Sequence, residues 1–266
     1  MKARAIENNR HSRPEQNNRE RLSLSRLHLL YVFALPLALL TLGGCFSSIC
    51  EDLAMLEETR EVVFVGDSLM EIFSTTNCRH VAGNLGLLVG KRIPSLAEGG
   101  ARLSGGDKTE IPVQFENAKA LALEAGTPIR TVFFDGGGND VLWENDMACL
   151  RPDSDACRGI IDTVEQEWVS LVETMWQEPS IENIIYVGSY ELQGIWIPYR
   201  SAFKELMSRI RERCAEHGVI YVDLEPLFEG HYQELIAMDM LHPNPAGTYV
   251  IAVYIQEILA AHGVTL

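Results

Sequence analysis

The stretch Glu61-Val62-Val63-Phe64-Val65-Gly66-Asp67-Ser68-Leu69-Met70 decides how this chain is read. Its first half is β-branched and aromatic with no alternation, the pattern of a strand buried on both faces. Gly66 permits a tight turn, and a helical pattern begins near Leu69. Ser68 therefore stands where a strand gives way to a helix N-terminus, where free backbone N–H groups favour negative charge. Two readings are open at this point. Ser68 is a helix N-cap, or it is a nucleophile, which requires a general base and oxyanion donors nearby.

Outward from this stretch, strands and helices alternate. Residues 92–97, 129–134, 181–187 and 219–222 read as further apolar strands. Residues 69–92, 113–125, 160–177, 198–217 and 245–262 read as helices. With residues 61–65 these make five strands, which predicts an α/β fold: a five-stranded parallel sheet covered by helices on both faces. One domain over residues 58–266 is expected. Ligands of such sheets bind beyond the C-terminal strand ends, and the chemistry-bearing motifs sit there.

The base candidate lies in Met238-Asp239-Met240-Leu241-His242-Pro243-Asn244-Pro245. Three residues of separation let the Asp239 carboxylate reach His242 Nδ1, leaving Nε2 to take a serine proton. The bland alternative is a turn cap and a surface histidine. Phe134-Asp135-Gly136-Gly137-Gly138-Asn139-Asp140 follows the middle strand, and the Asn139 amide is a candidate oxyanion donor. This glycine run lacks the Lys-Ser/Thr of a P-loop and the Gly-x-Gly-x-x-Gly spacing, and it offers too few oxygens for calcium. Ala97-Glu98-Gly99-Gly100-Ala101-Arg102 follows the second strand and holds a backbone N–H for the same purpose, or is an ordinary turn.

These four segments, in this order, resemble the SGNH or GDSL-type serine hydrolase family over residues 61 to about 260. The resemblance implies a flavodoxin-like three-layer α/β/α sandwich and a Ser68, Asp239, His242 triad. It also implies oxyanion donors at Ser68 N–H, Gly100 N–H and the Asn139 side chain. Gly99 is the alternative register, because an Asn that often precedes this glycine block is missing. The implied reaction is hydrolysis of a carboxylic ester through an acyl-enzyme, with no metal or cofactor. The expected substrate is a small-molecule or glycan ester. Removal of O-acetyl groups from cell-wall or other polysaccharide is the alternative activity, and a non-catalytic glycan- or lipid-binding role is the third reading. Tyr190 and Trp196, after the fourth strand, are candidate substrate-pocket residues or a cover over the core.

The N-terminus reads as an address. Six arginines precede an apolar run over residues 29–40, followed by Leu42-Gly43-Gly44-Cys45. A basic start, a short apolar core and small residues make a secretory signal; a membrane span needs roughly 17–25 apolar residues. The ending resembles a bacterial lipobox, which implies a signal over residues 1–44, lipidation of Cys45 and a linker over residues 45–57. The expected location is outside the cytoplasm, membrane-anchored, at the outer membrane or facing the periplasm. Export permits disulfides. Cys149 with Cys157 is the best candidate pair, Cys50 with Cys78 a second, and Cys214 a buried free thiol. The formal net charge of -15 argues against a nucleic-acid surface. Residues 45–266 hold 34 acidic against 15 basic side chains, which favours neutral esters over phosphoesters.

Overall fold

Among the described residues, four parallel strands carry the architecture: β1 (Val62–Val65), β2 (Thr131–Phe134), β3 (Asn183–Val187) and β4 (Ile220–Val222), hydrogen-bonded in that order. The computed structural model describes residues 49–72, 78–144 and 147–266. The chain divides into two units, residues 1–45 and 46–266, and every described residue belongs to the second. The expected signal segment and Cys45 lie outside the described residues.

The sequence predicts five strands, and the fifth is present only in outline. Along the outer edge of β1, Phe64 donates to the Pro94 carbonyl at 3.1 Å and accepts from Leu96 N–H at 2.8 Å. Only isolated parallel bridges result, Phe64 to Ser95 and Glu58 to Arg92. Pro94 has no N–H to give a ladder, so residues 92–97 run as an interrupted edge rather than a strand. Their place beside β1 completes the 2-1-3-4-5 order of a flavodoxin-like sheet.

Among the described residues, the connections are filled by the helices α1 (Ile49–Ala54), α2 (Ser68–Glu71), α3 (Val81–Val89), α4 (Ile111–Glu124), α5 (Gly138–Trp143), α6 (Asp155–Trp176), α7 (Arg200–His217) and α8 (Pro245–Ala261). Short helices Glu225–Phe228 and Tyr232–Leu235 precede α8. Alternation along the strands divides the sheet into two faces. Val63, Val65, Val132, Phe134, Ile184 and Tyr186 join the core built with α4, α6 and α7. Trp168 of α6 packs there against Phe134 and Tyr186, each ring centroid 5.8 Å away. Phe64 and Phe133 point the other way and stack on each other at 4.4 Å.

Residues 69–92, expected as mostly helical, contain α2 and α3 instead of one element. Gly90 ends α3 in the left-handed conformation at φ 70°. The stretch expected as a linker or short helix is the helix α1 over its described part. The Cys50–Cys78 disulfide ties it to the domain, and Leu53 is buried. Cys149 and Cys157 form the second disulfide, and Cys214 is a buried free thiol.

Candidate active site

The site is built at the C-terminal ends of β1, β2 and β3. After Val65 the chain turns through Gly66 at φ 144°, and the reason for glycine is physical: an added Cβ would sit 1.7 Å from Asp135 Oδ1. Gln114 of α4 clamps that turn, accepting from Gly66 N–H at 2.7 Å and donating to the Gly66 carbonyl at 3.0 Å. Asp67 then caps α2 by accepting from Leu69 N–H at 3.0 Å. The capping duty that was one reading of Ser68 thus falls to Asp67, and Ser68 is the first helical residue with its hydroxyl free to face the site.

Ser68 Oγ lies 2.8 Å from His242 Nε2, and His242 Nδ1 lies 2.7 Å from Asp239 Oδ2. The tight turn that makes this reach possible passes through Met240 at φ 58°. Its geometry is held by Asp239 Oδ1, which accepts from Leu241 N–H and His242 N–H, both at 3.0 Å. Burial works to raise the Asp239 pKa, but these N–H bonds and the His242 ring outweigh it and hold the carboxyl below its ordinary value. An ionised Asp239 keeps a proton on Nδ1, so that Nε2 accepts from the serine hydroxyl. Beyond the histidine, Asn244 caps α8 by accepting from Ala246 N–H and Gly247 N–H, and Pro245 is the first residue of that helix.

Asn139 arrives from α5. Its Nδ2 donates to the Ala101 carbonyl at 3.0 Å and to Asp67 Oδ2 at 3.2 Å. Trp143, four residues on, donates from Nε1 to Asn139 Oδ1 at 3.2 Å. This fixes which end of the amide faces Ser68's neighbour Asp67. Gly99 and Gly100 follow in one turn beside Ser68. A Cβ on Gly99 would stand 3.2 Å from Glu71 Oε2 and 3.7 Å from Ser68 Cβ, and one on Gly100, at φ 85°, would meet the Lys108 side chain.

Tyr190 and Trp196 do something more specific than line a pocket. Tyr190 is buried, stacks on Phe228 at 4.2 Å and donates from its hydroxyl to the Leu241 carbonyl at 2.7 Å. Trp196 donates from Nε1 to the Asp239 carbonyl at 2.9 Å and meets Trp143 edge to face at 5.7 Å. Both are struts for the loop that carries Asp239 and His242. Tyr190 also walls the pocket beside Ser68; Trp196 stands outside that wall.

Two buried carboxyls were missed as site residues. Asp135 accepts from Asp67 N–H at 2.8 Å, and burial pushes its pKa well above the ordinary value. Asp140 accepts from Leu103 N–H at 3.3 Å, and burial raises its pKa to about 7. Folding thus favours the proton on Asp140, and stability falls as pH rises from about 4, where the unfolded carboxyl ionises, to about 7. Asp140→Asn is expected to flatten that part of a melting-temperature profile. Its gain at pH 8 is at most about 4 kcal/mol; an unchanged slope would contradict the assignment.

Comparison with known proteins places this geometry. Residues 64–249 match the model of the GDSL-like lipase/acylhydrolase family. No curated protein matches the chain. The structure is similar to a lipolytic G-D-S-L family protein from Veillonella parvula, with TM-score 0.57, 18% identity, and coverage of 75% of this chain and 97% of that one. It is also similar to an acetylxylan esterase from Geobacillus stearothermophilus, with TM-score 0.53, 18% identity, and coverage of 79% and 98%. At such identities the likeness is one of fold.

Proposed function

The chain belongs to the GDSL-like lipase/acylhydrolase family and is a carboxylic ester hydrolase, and on that premise we propose that Ser68, His242 and Asp239 perform the reaction. The observation that carries this reading is the unbroken chain of contacts from Asp239 Oδ2 through the His242 ring to Ser68 Oγ, 2.7 and 2.8 Å long. His242 Nε2 takes the hydroxyl proton as Ser68 Oγ bonds to the ester carbonyl carbon. The carbonyl oxygen becomes an oxyanion, stabilised by Ser68 N–H, by the Asn139 amide and by a backbone N–H of the Gly99–Gly100 segment. Collapse of this intermediate breaks the bond to the alkoxy oxygen, and His242 gives the proton to the departing alcohol. Water then attacks the acyl-enzyme with His242 again as base, releasing the acid.

A fluorophosphonate tests the assignment directly, because it phosphonylates an activated serine oxygen with loss of fluoride. Peptide mass spectrometry is expected to find one label, on Ser68, forming far more slowly in His242→Ala. Labelling at another residue, or none, would overturn it. The protein is further proposed to act outside the cytoplasm, anchored by lipid on Cys45. The basic and apolar N-terminal pattern ending in Leu42-Gly43-Gly44-Cys45 supports this, as do two disulfides that an oxidising compartment permits.

A further inference from the structure

A cavity of about 60 Å³ opens beside Ser68 and His242 and runs inward between the ends of β2 and β3 and the helix α7. Its inner wall is apolar: Leu142, Leu192, Phe203 and Met207, with the Tyr186 ring. A second cavity, of about 120 Å³, lies behind it, with Arg200, Lys204, Asp223 and Glu225 on its far side. The two share Ser189, Tyr190, Leu192, Phe203 and Met207 as walls. Residues four apart project from the same face of a helix, so Phe203 and Met207 form the α7 side of the partition. Phe203 is pinned: its ring lies 3.1 Å from where a Cβ of Gly138 would stand. Met207 Sδ lies 3.9 Å from the Tyr186 hydroxyl, which itself donates to the Gly136 carbonyl at 2.8 Å.

Size decides what fits. A water occupies about 30 Å³ of liquid, and a dry apolar cavity of about 150 Å³ takes benzene. The front cavity therefore has room for about two or three heavy atoms beyond the reacting carbon. Ser68 and His242 line it, and so do the apolar side chains Leu142, Leu192, Phe203 and Met207, which suit an alkyl end. A longer chain would have to displace Phe203 or Met207 and then enter a space lined by charged groups, whose desolvation opposes it.

We propose that Phe203 and Met207 are specificity-determining residues that close the acyl pocket and confine the enzyme to esters of short acids, acetyl and propionyl groups. The inference rests on Ser68 being the nucleophile, since that fixes which cavity receives the acyl group.

The test is the kcat/KM series on p-nitrophenyl acetate, butyrate and octanoate. Wild type is expected to fall at least tenfold from acetate to octanoate. Met207→Ala joins the two cavities and is expected to raise the octanoate-to-acetate ratio at least tenfold. Met207→Phe keeps the partition filled and is expected to lower the butyrate-to-acetate ratio, which covers the case in which the alanine variant fails to fold. Equal wild-type rates on all three esters, or ratios unchanged in both folded variants, would overturn the acyl limit alone. No turnover of any ester, together with no fluorophosphonate label on Ser68, would instead overturn the nucleophile assignment.

Discussion

Ser68→Ala and His242→Ala are each expected to lower kcat on p-nitrophenyl acetate by roughly ten-thousand- to million-fold, and the double variant to lose little more than either alone. The size follows from how the groups act. Neither the hydroxyl nor the imidazole contributes once its partner is gone, so the losses do not add. What remains over water comes from the oxyanion donors and from binding. The fold does not depend on either side chain. Asp67, not Ser68, caps α2, and the His242 backbone carries the contacts to Ala237 and Asp239 that shape its loop. Melting temperatures of both variants are therefore expected to stay near wild type. A variant that retained a tenth of the activity would remove the triad from the mechanism.

Much of this site was legible before any geometry, because its parts are local. The run from Glu61 to Met70 specifies a strand, a turn and a helix start within ten residues. Asp239 and His242 are close enough in sequence for one turn of chain to join them. The order of the four segments then places them at neighbouring strand ends. The elements read differently in the sequence fail for equally local reasons. Pro94 interrupts the edge strand that the apolar pattern of residues 92–97 promises. Trp143 could have been found, since it lies one helical turn beyond Asn139, where side chains meet. Tyr190 and Trp196 could not have been given their actual partners. Those partners are backbone carbonyls some fifty and forty residues away, brought close only by the packing of β3 and the His242 loop (separations of 51 and 43).

Asp135 is the clearest product of tertiary structure, and its replacement by leucine is expected to damage both stability and rate. It follows the buried strand β2 and is itself buried beneath Gly66. Asp135 Oδ1 accepts from Asp67 N–H at 2.8 Å. Burial and the neighbouring Asp67 charge both favour the neutral form of Asp135. Asp67 in turn accepts from Leu69 N–H and Asn139 Nδ2. The Asp135 carboxyl thus holds, through the Asp67 backbone, the residue that holds both the turn before Ser68 and the Asn139 amide. Asp135→Leu leaves Asp67 N–H unpaired. A buried N–H left unpaired costs about 1–3 kcal/mol, which lowers the melting temperature of a domain this size by roughly 2–12 °C. With Asn139 in its proposed role as an oxyanion donor, loosening its amide is expected to lower kcat by a further factor of about 100 or more. Asp135→Asn separates this account from simple overpacking. Its amide copies the neutral acid and keeps an oxygen for Asp67 N–H, so it is expected to stay within a few fold of wild-type activity. Equal damage from Asn and Leu would show that an ionised Asp135, not a neutral one, holds the two halves of the site together.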